Sequence, residues 1–302
     1  MPITDDAPAF ERQGFLKEDF RLFHLKDKVS PCYEFHYHDF LKIMVLLEGK
    51  VNYVIEGRSY SLRPFDIVLV GRGQIHRPEV DPGQPYERQI LYLSQDFLDR
   101  HRENEDSLDR CFATAAYRHS NVLRLKEEVR ANMLSLLKQL ERSQNWQQEE
   151  FAGPLMSRLL CLEFLVELNR ASMDDKAQYL PTGVLNYRVS GLISYINEHL
   201  DEDLSIGTLS SLSCISPYHM MRIFKEETGC TIGNYITEKR LIYARDLLGE
   251  GVNATDACFR SGFSHYSTFL RAYKNHFHQL PKRKDVYKRQ ILNRTMPAKR
   301  SI

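Results

Sequence analysis

Three histidines and a lysine carry the most legible chemistry in the first hundred residues. His36 and His38 lie two apart in a run, Phe35 to Leu47, that partly alternates as a strand does, so both imidazoles fall on one side with Phe40 and Lys42. His76 follows on a later turn, after Gly71 and Gly73. Imidazoles sharing a face are a metal-ligand pattern, but a cation four residues beyond His38 on that face opposes a divalent ion, so no metal is expected. The same four groups suit an anionic or hydroxyl-rich small molecule, with Lys42 pairing a carboxylate or phosphate and the imidazoles donating hydrogen bonds. The competing reading is a bulge after His38 that turns Lys42 out to solvent and leaves ordinary core histidines. No Ser/His/Asp or Cys/His arrangement and no phosphate-cradling glycine loop accompanies them, so neither a catalytic residue nor a cofactor is expected.

Short strands must position these groups. Between Pro31 and Leu93, brief apolar runs (Val51 to Ile55, Tyr60 to Leu62, Ile67 to Val70, Ile90 to Leu93) are separated by Gly49, Gly57, Pro64-Phe65-Asp66 and Pro82-Gly83 at turn spacing, which predicts an antiparallel barrel or sandwich. From Ser94 to Ser172 the period becomes helical. Val122, Leu125, Val129, Asn132, Leu136 and Leu140 form one series, and Leu155, Leu159, Leu162, Val166 and Asn169 a second, with Met156, Leu160, Phe164 and Leu165 widening its stripe. A helix apolar over so much of its circumference needs cover on more than one side, which points to self-association. Met173 to Gly183 loses periodicity and reads as a linker.

The last hundred residues repeat. Met220, Arg222, Phe224 and Lys225 recur as Phe269, Arg271, Tyr273 and Lys274, and Cys214, Ile215 and Ser216 as Gly262, Phe263 and Ser264. Each copy reads as a short helix, a tight turn and a second helix: Ile206 to Ser213 then Pro217 to Thr228, and Thr255 to Ser261 then His265 to Phe277. On a helical wheel Met220, Ile223 and Phe224 point inward, while Tyr218, Met221, Arg222 and Lys225 share the outer face. In the second copy Phe269, Ala272 and Tyr273 point inward, with Ser267, Leu270, Arg271 and Lys274 outside and His265 and Thr268 among the expected DNA contacts. Matched outer Arg and Lys residues on two helix-turn-helix units suit two successive major grooves, Arg forking onto guanine and Lys neutralising phosphate. Charge agrees: residues 1–183 hold 24 Lys and Arg against 29 Asp and Glu, and residues 184–302 hold 17 against 11, so the basic half would meet a polyanion.

From Leu192 to Pro281 these residues resemble the AraC/XylS family of bacterial transcription regulators. Ile206 to Lys225 is similar to the family's first unit, Tyr235-Ile236 with Arg240, Leu241, Ala244, Leu247 and Leu248 to its connecting helix, and Gly262-Phe263-Ser264 with Phe269, Arg271, Tyr273 and Lys274 to its second unit. The resemblance implies a seven-helix DNA-binding domain. His36-x-His38, Gly49, Gly57, the Pro64-Phe65-Asp66 turn and His76 likewise resemble the cupin barrel of many such regulators, with Lys42 where metal-binding cupins carry a glutamate. The expected fold is α+β and multidomain: a cupin-like antiparallel β-barrel over 1–93, dimerisation helices over 94–172, a linker over 173–183, and an all-α domain with two helix-turn-helix units over 184–284. A basic tail, 285–302, follows. Against the repeat, His278 and Lys284 stand where Gly229 and Tyr235 would, so a helix stop and a closing aromatic are missing, and the tail reads as foreign or scrambled.

Three function classes compete. A DNA-binding regulator answering a small-molecule effector explains both halves, a metal-dependent cupin enzyme only the first, and a ligand-independent DNA binder only the second. The expected partners are double-stranded DNA, a second copy, an effector such as a sugar or anionic metabolite, and RNA polymerase if the protein activates. The longest apolar run, Ile43 to Leu47, is far short of a membrane span and the amino terminus lacks a signal peptide's apolar core, so the cytoplasm is the expected location. Six scattered cysteines imply no disulfide framework.

Overall fold

The computed structural model describes Leu16 and residues 18–27, 33–81, 83–103, 106–144, 151–184 and 187–282. The chain divides into two units, one of Met1–Ser190 with Glu226–Gly229 and one of Gly191–Lys225 with Cys230–Ile302.

The first unit begins with seven strands: β1 (Phe20–Asp27), β2 (Leu41–Glu48), β3 (Val51–Ile55), β4 (Arg58–Leu62), β5 (Ile67–Val70), β6 (His76–Val80) and β7 (Tyr86–Leu93). Then come α1 (Gln95–Arg100), α2 (Arg110–Tyr117), β8 (Val122–Leu125), α3 (Glu127–Gln144), α4 (Gly153–Met173), β9 (Ala177–Tyr179) and β10 (Gly183–Val184). All strand neighbours are antiparallel, in a six-stranded sheet ordered β1-β7-β2-β5-β8-β9 and a four-stranded sheet ordered β10-β4-β3-β6. Glu56 (φ 47°) and Gly57 (φ 74°) form the two-residue turn between β3 and β4, both left-handed as the twist of a tight hairpin demands.

Alternation sorts each strand into two faces. Met44, Leu46, Val68 and Ile90 of the larger sheet pack against Tyr53, Ile55, Tyr60 and Leu62 of the smaller, making an inner core. The intervening residues Ile43, Val45, Leu69 and Leu91 bury the opposite face under the helices, against Phe97, Leu137, Leu140, Phe164 and Leu165. Each such side chain contributes about 1.5–3 kcal/mol by leaving water.

Three sequence expectations change here. Val122 and Leu125 belong to strand β8, not to the helix that starts at Glu127, because a spacing of three fits either element when the run is short. The stretch expected to be a linker contains β9 and β10, which hydrogen-bond to β8 and β4. Strand β1 pairs with β7 along its length but lies upstream of the region read as strands. In α4, Leu160, Cys161, Phe164, Leu165 and Leu168 are buried, while Leu155, Met156 and Leu159 near its start are exposed.

After β10 the described helices are α5 (Tyr187–Glu198), α6 (Ile206–Ser213), α7 (Pro217–Thr228), α8 (Ile232–Gly249), α9 (Ala254–Arg260) and α10 (Tyr266–Phe277), which make up most of the second unit. The seventh helix implied by the family and the tail 285–302 lie outside the described residues. Side chains of Ser205, Thr231 and Asn253 accept the first free amides of α6, α8 and α9, so local chemistry sets these starts. One expectation fails: α10 does stop, because His278 adopts φ 56° and donates its amide to Lys274 O, doing what glycine does elsewhere.

Candidate functional site

Inside the first unit the structure brings His36, His38, His76 and Lys42 together, all buried. His36 pairs with His76 through an isolated bridge just ahead of β2, and their ring centres are 4.3 Å apart. His38 stacks on Phe40 at 4.7 Å, so the expected alternation holds and no bulge turns Lys42 outward. Lys42 Nζ donates to Tyr53 OH at 3.0 Å and lies 3.2 Å from His76 Nε2.

The imidazoles are oriented by the backbone. His36 Nδ1 donates to Glu34 O and His76 Nδ1 to Gln74 O, each at 2.9 Å, which leaves the lone pairs on Nε2. These rings therefore accept hydrogen bonds at Nε2, the reverse of the donor role expected from sequence. Burial, followed by the Lys42 charge, pushes His36 down to about 4 and His76 well below its usual range. Burial, followed by the Arg88 charge, pushes Lys42 down to about 7.

Sequence reasoning missed the surrounding groups. Arg88 is buried, donates through Nη1 to Asp27 at 2.5 Å and through Nη2 to Tyr33 OH at 3.2 Å, and lies 4.0 Å from the Tyr86 ring centre. A signal for it exists in the sequence: alternation carried back from the run Ile90 to Leu93 puts Tyr86, Arg88, Ile90 and Tyr92 on one face of β7. The three histidines place ligand nitrogens within 4.8 Å of one another, the one such group of three among the described residues, and it includes no carboxylate. With the Lys42 amine against His76 Nε2, a divalent ion fits this set only if that amine moves aside or is neutral.

In the second unit the inward residues are buried as expected, Met220, Ile223 and Phe224 in α7 and Phe269 and Tyr273 in α10. Tyr218, Met221, Arg222 and Lys225 in α7, and His265, Ser267, Thr268, Arg271 and Lys274 at or in α10, are all exposed. Arg222 Nη2 lies 3.3 Å from His219 Nδ1, a neighbour the sequence reading did not single out. Both second helices thus present a forked cation and an amine outward from an apolar anchor, the arrangement that major-groove insertion uses.

An antiparallel-sheet unit enclosing polar groups, joined to a unit with two helix-turn-helix pairs, defines a DNA-binding regulator with a ligand-binding domain. Residues 30–160 match the AraC-like ligand binding domain, and residues 209–284 match a helix-turn-helix domain. The probable transcription factor PqrA of Proteus vulgaris is 34% identical over 96 residues, covering 31% of this chain and 79% of that protein. The HTH-type transcriptional regulator YbfI of Bacillus subtilis is 26% identical over 234 residues, 77% and 79% of the two chains. The HTH-type transcriptional activator RhaS of an Enterobacter species is 25% identical over 242 residues, 78% and 82%. The chain belongs to the AraC family of transcriptional regulators. These relatives are regulators, and among the described residues no helix is long and apolar enough to cross a membrane.

Proposed function

We propose that this AraC-family regulator controls transcription in response to a small effector carrying both an anionic group and hydroxyls, held in the first unit by Lys42, His36, His38 and His76. The observation that carries this reading is the Lys42 amine, buried against Tyr53 OH and His76 Nε2, both neutral contacts. A buried ammonium gains most from a carboxylate or phosphate, and imidazole lone pairs accept from hydroxyls, so the two halves of the site ask for different parts of one molecule. Lys42→Ala is expected to abolish the effector response in a promoter-reporter assay while leaving operator binding intact. An unchanged response sinks the reading.

On DNA, Arg222 and Arg271 read base edges, Lys225 and Lys274 bind phosphate, and Tyr218, Met221, His265, Ser267 and Thr268 flank them. The regulator works as a homodimer through the outer face of α4, in the cytoplasm, without catalysis, and engages RNA polymerase if, like RhaS, it activates. The functional segments are the sheets and helices through 184 as sensor and the helical unit beyond it as DNA reader.

A second reading has one observation in its favour. Donation of Nδ1 to backbone carbonyls is how metal-bound histidines are oriented. Stoichiometric metal retained by the dialysed protein would replace the anionic effector with a metal-dependent sensor or enzyme.

A further inference from the structure

The loop that leads into the first helix-turn-helix unit and the turn of the second come together on the connecting helix α8. Arg240 donates through Nε to Leu200 O and through Nη2 to Glu202 O, each at 2.8 Å, and so holds the loop between α5 and α6 from the side of α8. Against the same point rests the turn of the second unit. A Cβ on Gly262 would lie 2.0 Å from Leu200 O and 2.6 Å from Arg240 Nε.

The repeat supplies an internal control. Cys214 occupies the matching turn of the first unit, in the same left-handed conformation (φ 53°, against 88° at Gly262), and carries its side chain out to solvent. The turn itself therefore accepts a side chain. What excludes one at 262 is the Leu200 carbonyl and the Arg240 guanidinium, which occupy the space.

Other contacts of α8 lead to the two sides. Tyr235 OH reaches Asn197 Oδ1 of α5 at 3.2 Å, and Glu238 Oε2 pairs with His276 Nδ1 of α10 at 3.0 Å. Leu241, Ala244 and Leu248 pack with Phe263, Phe269 and Tyr273. Apolar packing of this kind allows small rotations between helices, whereas a guanidinium fixed to two carbonyls in a fork does not.

We propose that Arg240 is a positioning residue that fixes the spacing and angle between the recognition helices α7 and α10, so that the protein accepts DNA subsites at one separation only. The proposal rests on the reading that both helices enter major grooves. Arg240 touches no base in this scheme; it acts by denying the two units freedom to adjust. One inserted base pair moves a subsite by about 3.4 Å along the axis and rotates it by about 34°, which a fixed pair of helices cannot follow.

The test uses the full chain and a DNA site selected by the wild type from a random pool, with one base pair inserted or deleted between the two subsites. Wild-type protein is expected to lose at least about tenfold in affinity on either change. Arg240→Ala is expected to bind the parent site more weakly but to lose less than about threefold on insertion, with Arg240→Lys intermediate because one donor remains. A variant weakened by general loss of structure would bind every site less well and keep the wild-type ratio between them. If either soluble variant keeps that ratio, the role of Arg240 is overturned. If the wild type itself is indifferent to the insertion, the two-groove reading fails instead.

Discussion

Lys42 Nζ stands 3.2 Å from His76 Nε2 inside the first unit, an amine held near neutrality by burial and facing a lone pair. Folded, Lys42 gives up its proton at about 7, whereas the unfolded chain holds it to about 10.5. Between those values the unfolded state binds more protons, so stability rises with pH; below about 7 both states carry the proton and the penalty is present in full. Lys42→Met removes the penalty and leaves Tyr53 OH without its donor, so a net gain of about 1–3 kcal/mol is expected at pH 7. That gain should shrink toward pH 10. Urea unfolding at pH 6, 7, 8.5 and 10 measures it, and a constant difference would mean that Lys42 titrates normally.

Effector binding should follow the same proton. An anion placed on Lys42 favours its charged form, so binding above pH 7 takes up a proton, and affinity should fall as pH rises from 7 to 9. Calorimetry in buffers of different ionisation enthalpy reads this uptake directly. A neutral ligand would show none.

On DNA, Arg222→Ala and Arg271→Ala are each expected to cost about 1–3 kcal/mol and to relax base preference at their own subsite. Lys225→Ala and Lys274→Ala should weaken all sequences alike, each lowering the slope of log affinity against log salt by about one. Footprinting and salt titration on a selected operator separate the two effects. Equal behaviour of all four variants would mean the outer faces of α7 and α10 do not enter grooves.

Leu155 and Leu159 of α4 are each 51% exposed on the side away from the core. If they form the contact between copies, Leu159→Glu should leave the monomer folded and shift the sedimenting species from dimer to monomer at micromolar concentration. A wild type that is already monomeric, with and without effector, removes this interface from consideration.

Asp66 is almost wholly buried, accepts both Nε and Nη2 of Arg124 at 2.7 Å, and takes the Arg63 amide at 2.8 Å. Asp66→Ala leaves that half-buried guanidinium and the Arg63 amide without their acceptor, and about 1–3 kcal/mol of stability should be lost. Thermal unfolding checks it, and a loss below about 1 kcal/mol would show that water replaces the carboxylate.

What could be read from the sequence followed the length scale of the signal. The helices α6 and α7 coincide with their expected bounds because Ser216, Pro217 and Gly229 punctuate the second of them and the repeat doubles the pattern. His36, His38 and Lys42 were found together because alternation of period two is local. Arg88, Tyr33 and Tyr53 were not, since they reach Lys42 or each other from β7, from the stretch ahead of β2 and from β3, and such long-range placement leaves little trace in one chain. Strand β8, only four residues long, offered too few positions to tell three-residue steps from alternation. In α4 both stripes are apolar, so composition could not say which one meets the core.

The short strands β9 and β10 have a practical meaning for anyone dissecting this protein. Each caps an outer edge, β9 covering β8 in the larger sheet and β10 covering β4 in the smaller, while Leu180 between them donates its amide to Val122 O at 2.9 Å and accepts from Ser120 Oγ at 2.7 Å. A sensor fragment ended at residue 172, where the helical pattern stops, would carry β8 and β4 as uncovered edge strands whose amides and carbonyls face water. Such edges invite pairing with another chain, so that fragment is expected to aggregate more readily than one carried through Val184, in which β9 pairs with three residues of β8 and β10 with two of β4.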